Sequence, residues 1–208
     1  MSTLRIVIGD KAYSSWSLRA WLILKMSGLP FEEIKVKLRQ PDTAAAIRRY
    51  SPSGKVPLLY DGDLRVWESL AIGEYLAERV KTLALWPADG EARAVARAVS
   101  AEMHAGFAAL RRELPMDCGR RETKSPQGEA AADIARVTEI WRHCRATYGQ
   151  GGPFLFGAFS VADGMFAPVA SRFLTYDIPL DPVSGAYRNA LLALPAMQEW
   201  MRDAAAEA

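Results

Sequence analysis

The chain has 208 residues, half of them apolar, and a formal net charge of +2 from 26 Lys and Arg against 24 Asp and Glu. That suffices for one large domain or two small ones with a true core, and the near-neutral balance without any long block of like charges argues against nucleic acid as a partner, leaving Arg111-Arg112 and Arg120-Arg121 as solvated surface. Cys118 and Cys144, with no Cys-x-x-Cys pair, exclude a disulfide framework and a zinc centre, and no apolar run suits a signal peptide or a membrane span, so a soluble cytoplasmic protein with reduced thiols is expected.

Leu4 to Ile8 is a short β-branched run stopped by Gly9-Asp10 and reads as a buried strand. Ser14-Ser15-Trp16-Ser17 then precedes an apolar stretch, Leu18 to Met26, closed by Gly28 and Pro30, which predicts a helix with hydroxyls before it and a glycine after it. Phe31 to Leu38 is a second strand, Thr43 to Tyr50 a short helix, and Val56 to Tyr60 a third strand. Asp61-Gly62 signals a hairpin into a fourth strand, Leu64 to Val66, and Ser69 to Val80 is a helix. The order β-α-β-α-β-β-α implies a parallel pairing with an antiparallel edge. Leu83 to Glu91 reads as a linker, after which strand signals stop. Helices are expected over Ala92 to Leu114, Glu129 to Tyr148, Val161 to Thr175 and Leu191 to Ala206, and Cys118 to Gly128 reads as a mobile loop.

Two fragments carry chemistry. In Gly54-Lys55-Val56-Pro57-Leu58-Leu59-Tyr60, a proline at the start of a strand removes an amide donor and turns the preceding backbone outward. About ten residues on, Glu68-Ser69 places a hydroxyl at the start of a helix, where anions bind well. Together they form a receptor for an extended peptide with a carboxylate. In the second half, Ser160-Val161-Ala162-Asp163 has capping-box spacing with Asp in the acidic place, a structural device that starts a central helix.

In this order and spacing, the residues resemble the cytosolic glutathione transferase superfamily over nearly the whole chain. Val56-Pro57 is similar to the family's cis-proline pair, Glu68-Ser69 to its glutamyl-binding pair, and Ser160 to Asp163 to its capping box. Ser14-Ser15-Trp16-Ser17 with Arg19 resembles the serine-type zeta class, except that Trp16 stands where that class has cysteine. Glu102-Met103-His104-Ala105-Gly106-Phe107 is similar to a beta-class helix segment in which the histidine faces glutathione. The resemblance implies an α/β thioredoxin-like N-terminal domain over residues 1–82 and an all-α helical bundle over 91–208, a homodimer, and glutathione as cosubstrate with no permanently bound cofactor.

The implied reaction is attack of the glutathione thiolate on a hydrophobic electrophile, the thiolate held by a serine hydroxyl. Ser14 is the expected donor and Ser15 the next, with Tyr13 a competitor placed by its position in packing; Ser17 is expected to cap the helix but is kept among the ligand-facing candidates. Val56 and Pro57 are expected to bind the cysteinyl backbone, Ser69 the glutamyl carboxylate, Glu68 its ammonium and Lys55 the glycyl carboxylate. His104, Phe107 and Arg111 are candidates to face the ligand, and Phe166 and Phe173 to line an electrophile pocket. His143 is left as structural, and no metal site is expected from the two histidines. Alternatives are a glutathione-dependent isomerase of maleylacetoacetate type, a peroxidase, or a binding protein without turnover. The electrophile is not encoded in these motifs.

Overall fold

The computed structural model describes residues 3–80 and 83–207. The expected domain limit at residue 82 lies outside those residues, as do Met1, Ser2 and Ala208. The apolar run at the start becomes β1 (Leu4–Gly9), buried except at Arg5. It lies between β2 (Phe31–Val36), with which it pairs in parallel, and β3 (Leu58–Asp61), with which it pairs antiparallel. A parallel pair needs a crossover, and α1 (Ser15–Met26) supplies it. β4 (Leu64–Trp67) completes a four-stranded sheet of order β2-β1-β3-β4. α2 (Thr43–Arg48) and α3 (Ser69–Arg79) complete this half.

Two boundaries differ from the sequence expectation for local reasons. The third strand starts at Leu58 instead of Val56, because Pro57 has no amide hydrogen to give to the ladder. The hairpin loop is Gly62-Asp63, one residue later than expected, since Asp61 still pairs with Leu64. Gly62 takes φ +59°, which a side chain would disfavour.

The second half is helical: α4 (Gly90–Ala105), α5 (Ala108–Glu113), α6 (Gly128–Tyr148), α7 (Val161–Thr175), α8 (Pro182–Leu192) and α9 (Pro195–Ala205). The single helix expected over 92–114 is two. The chain breaks at Gly106-Phe107, where Phe107 adopts φ +61° and the Arg111 guanidinium turns back to the carbonyls of Met103 and Gly106. α8 lies before the helix expected at 191–206; Asp181 caps it through the Val183 and Ser184 amides, each at 3.0 Å, and Pro182 opens it. Pro195 delays the start of α9 for the same reason. The Cys118 to Gly128 segment is irregular but not loose, since Glu122 and Lys124 donate backbone hydrogen bonds to Thr175 and Tyr176.

α7 is the central element, buried at every position except Leu174. Its capping box is complete: the Asp163 carboxylate accepts from the Ser160 amide at 2.8 Å and its hydroxyl at 2.9 Å. The same carboxylate also takes the Leu155 amide and the Tyr187 hydroxyl. Burial pushes its pKa up to about 6, against the pull of these donors. Gly164 lets α7 approach α1 closely: a Cβ there would stand 2.4 Å from Ile23 Cγ1. One apolar cluster therefore runs from Leu4, Ile6 and Ile23 through Ile72 to Trp141, Phe166 and Trp200. It holds the site between the two halves.

Candidate functional site

The β1–α1 connection presents three hydroxyls, and the structure separates their roles. Ser14 is the N-cap of α1: its Oγ accepts from the Ser17 amide at 3.4 Å and its hydroxyl donates to Ser17 Oγ at 2.7 Å. Ser17 Oγ in turn accepts the Gly9 amide at 3.0 Å. Ser17 is fully buried and does not line the cavity described below, so it is neither the cap nor a ligand-facing group, contrary to the sequence expectation. Ser15, the first residue of α1, has no hydrogen-bond partner for its hydroxyl among the described residues, and it lines the cavity. Of these three serines, Ser15 alone has a hydroxyl oxygen engaged with no partner among the described residues, whereas the Ser14 hydroxyl is committed to Ser17.

The cavity has a volume of about 580 Å³. Ser14, Ser15 and Trp16 meet the Ser53 to Pro57 segment, Glu68 and His104 there. The Val56–Pro57 peptide bond is cis. Lys55 is exposed at the rim. Glu68 stands at the N-cap of α3 with φ +68°, and its carboxylate lies 3.6 Å from His104 Nε2. Ser69, at the first position of α3, is fully buried and is not among the residues lining the cavity, and its Oγ has no hydrogen-bond partner among the described residues. A buried hydroxyl next to free helix N-terminal amides is a donor set suited to an anion.

His104 reaches the cavity from the last turn of α4. Burial lowers its pKa, Arg19 and Arg111 add to that, and Glu68 opposes it. The imidazole is therefore neutral at neutral pH, and its approach to Glu68 is not an ion pair. Its Nδ1 is buried without a hydrogen-bond partner among the described residues.

Trp16 is the side chain that sequence reasoning missed. It is 36% exposed and lines the cavity, with Arg19 at 4.5 Å and Arg111 at 5.0 Å from its ring and His104 edge-on at 5.2 Å. Its signals were its size in a loop otherwise made of small hydroxyl residues and its place where the zeta class has cysteine. Tyr13 also lines the cavity, more than a third exposed, with Arg39 4.0 Å over its ring, and is not packed at the strand end as expected. Leu38 and Ile47 complete the apolar wall.

Arg111 stands behind Trp16 rather than in the cavity wall. Phe107 is a core residue, as are Phe166 and Phe173, which pack on Trp141; none of the three faces the cavity, because each fills the apolar interior of the helical half. Arg19 and Arg172 are buried, and Arg111 is half-buried rather than on the solvated surface expected from the sequence; Arg19 donates to the carbonyls of Met165 within α7 and Met103 in the last turn of α4, and Arg172 to that of Leu114 after α5. In each of the three the Nη1 atom is buried without a hydrogen-bond partner among the described residues. Burial, reinforced by mutual repulsion, lowers the pKa of Arg19 and brings that of Arg172 to about 10, and burial lowers that of Arg111.

Comparison with known proteins adds to this geometry. The sequence profile described as "Glutathione S-transferase, N-terminal domain" matches residues 13–79. Glutathione S-transferase F10 of Arabidopsis thaliana is 39% identical over 71 residues, 32% of this chain; the chain spans 31% of that protein's length. Maleylacetoacetate isomerase of Rattus norvegicus is 26% identical over 192 residues, 89% of this chain and 87% of that one. Among solved structures, the theta class glutathione S-transferase of Xanthomonas axonopodis pv. citri with glutathione bound superposes with a TM-score of 0.70 at 27% identity, covering 97% of this chain and 98% of the other.

Proposed function

Since the chain belongs to the glutathione transferase superfamily, we propose that it is a glutathione transferase in which the Ser15 hydroxyl donates to the thiolate of the cosubstrate. The observation that carries this reading is the free Ser15 hydroxyl at the start of α1, in one cavity with Val56-Pro57 and Glu68. Only the thiolate is a good nucleophile, and a free thiol at neutral pH is mostly protonated. A hydrogen bond to a charged group contributes about 1.5–3 kcal/mol, roughly one to two pKa units. The N-terminal end of α1 acts in the same direction. No general base is needed. The sulfur lone pair forms a C–S bond, and the electrophile either loses its leaving group as an anion or, in an addition, takes a proton from solvent.

Glutathione is bound as an extended peptide. The backbone of Val56 pairs with the cysteinyl unit as an added strand would, and Pro57 shapes that edge. Ser69 and the first amides of α3 take the glutamyl carboxylate. Glu68 takes the ammonium, and Lys55 at the rim the glycyl carboxylate. Tyr13 and Trp16 offer an apolar surface to the electrophile. The protein acts in the cytoplasm as a homodimer whose interface takes in Leu64 and Trp67, exposed apolar side chains of the edge strand β4.

Ser15→Ala is expected to lower the rate of conjugation about tenfold or more and to raise the pKa of the bound thiol by one to two units, leaving glutathione affinity within a few-fold. Ser14→Ala is expected to act through loss of the cap, lowering stability by roughly 1 kcal/mol with a smaller effect on the thiol pKa. A shift confined to Ser14→Ala returns the role to Ser14.

The guanidiniums of Arg19 and Arg111 against Trp16, with Arg172 close enough to Arg19 and Arg111 to repel them, favour a second reading, glutathione-dependent isomerisation. There the thiolate adds to a cis double bond, rotation follows, and elimination regenerates glutathione. Arg19, Arg111 and Arg172 supply positive potential for the carbanion that addition creates. A screen of chloronitrobenzenes, hydroperoxides and maleylacetone separates the readings, and retention on immobilised glutathione without turnover on any of them identifies a binding protein.

A further inference from the structure

The loop that carries the serines is held from behind by α9 and the turn that follows it. Trp200, fully buried, donates its indole N–H to the Lys11 carbonyl at 2.9 Å. The Lys11 ammonium lies 2.7 Å from Asp203 and 2.9 Å from Glu33, beneath the rings of Trp21 and Trp200. Glu207 makes the closest approach to the serines: its Oε2 accepts the Ala12 amide at 3.1 Å, while its Oε1 takes the Lys35 ammonium at 2.8 Å. The Ala12 carbonyl accepts from the Cys118 amide at 3.1 Å, and the Ser14 amide closes a turn onto the Asp10 carbonyl at 2.9 Å. The backbone between Asp10 and Ser14 is thus fixed mainly by groups distant in sequence.

We propose that Glu207 is a positioning residue for the reaction, a carboxylate clamp that sets the place of the Ser15 hydroxyl by holding the Ala12 amide. The proposal rests on the reading that Ser15 donates to the thiolate. Each oxygen of the clamp has its own task. Oε2 fixes the loop, and Oε1, anchored on Lys35 of β2, fixes the direction of the carboxylate. That anchor is strong enough to raise the Lys35 pKa, chiefly through the hydrogen bond itself. The Glu207 side chain is 11% exposed and its bond to the Ala12 amide is partly buried, whereas the Lys35 end of the anchor is 43% exposed and open to screening by salt. Ala12 precedes the cap of α1 by two residues. Releasing its amide lets the turn at Asp10 to Ser14 drift, and a drift of about 1 Å at a reacting group costs up to about a hundredfold in rate.

Glu207→Ala, Glu207→Gln and Lys35→Ala are compared with the unsubstituted protein by three measurements: glutathione kinetics with a chloronitrobenzene, the pH dependence of thiolate absorbance of bound glutathione, and hydrogen exchange of the segment 10–16. Glu207→Ala is expected to lower kcat about tenfold, raise the thiol pKa by roughly one unit, leave KM for glutathione within about twofold, and speed exchange in that segment. Glu207→Gln, which keeps an acceptor oxygen, is expected to restore most of kcat, and Lys35→Ala to shift all three readouts partway. Loss of thermal stability in Glu207→Ala with kcat, thiol pKa and exchange unchanged overturns the clamp. Exchange remains a test of the clamp even where the unsubstituted protein shows no turnover, a result that would count against the transferase reading alone.

Discussion

A serine at a helix start is ambiguous until its proton is followed. Ser14 and Ser17 form a pair that serves the cap of α1 and the Gly9 amide, while the hydroxyls of Ser15 and Ser69 have no partner among the described residues. For Ser69 this gives a prediction that separates binding from stability. A hydroxyl that makes no intramolecular bond contributes little to folding, yet its bond to a carboxylate is charge-assisted. Ser69→Ala is therefore expected to weaken glutathione binding by about 1.5–3 kcal/mol, roughly ten- to a hundredfold, and to leave the unfolding midpoint nearly unchanged. Calorimetric titration with glutathione checks the first part, and an unchanged dissociation constant removes Ser69 from the site. His104 belongs to the same scale: its neutral state follows from burial and from two arginines nearby, which the single local carboxylate, Glu68, does not outweigh.

Among the elements, α7 is buried at every position but Leu174, and its start is an electrostatic device. Asp163 is fully buried with a pKa of about 6, above the ordinary 3.8. The folded protein therefore holds the Asp163 proton more tightly than the unfolded chain does. The sign follows directly: this group's contribution is fullest below about pH 4, is lost as the pH rises toward 6, and is flat beyond. Asp163→Asn is expected to abolish that slope and, by weakening acceptance from buried amides, to lower stability by about 1–3 kcal/mol at neutral pH. Urea unfolding of both proteins between about pH 3 and 7 measures it, a range that brackets the window set by 3.8 and about 6; parallel curves would show that Asp163 titrates as it does in the unfolded chain. The capping box itself was legible in the sequence because Ser160 and Asp163 lie three residues apart and act locally. The alternation of strands and helices was legible too, since apolar runs such as Leu4 to Ile8 are punctuated by glycine and proline. The break at Gly106-Phe107 was not, because apolar residues continue across it and its cause is Arg111 returning to the Met103 carbonyl, which Arg19 shares from another element. α8 was passed over although Asp181-Pro182 is a clear start signal. Within the site, Val56-Pro57, Glu68 and His104 were found because each has a backbone or family signature, whereas Trp16 and the division of labour among the serines depend on side-chain directions that spacing does not encode.

At the scale of the molecule, the two halves share one apolar cluster, in which Ile23 of α1 meets Gly164 of α7 and Val161 lies against Gly73 of α3. A cavity walled by both halves keeps its shape only while that contact holds, because Ser15 and Glu68 come from one side and His104 from the other. Unfolding is accordingly expected to be a single cooperative step, with circular dichroism and tryptophan fluorescence reporting the same midpoint. The proposed homodimer adds a mass-action term, so the midpoint should rise with protein concentration. Trp67 separates the two effects. It is 45% exposed on the edge strand and stands next to Glu68 in the chain, but it is not part of the cavity wall. Trp67→Glu places a charge on the surface proposed as the interface, where burial without a partner is costly. The variant is expected to sediment as a monomer, to lose the concentration dependence of its midpoint, and still to unfold in one step. Sedimentation of the unsubstituted protein as a monomer would remove the dimer, while two separate transitions in either protein would show that the shared core does not couple the halves.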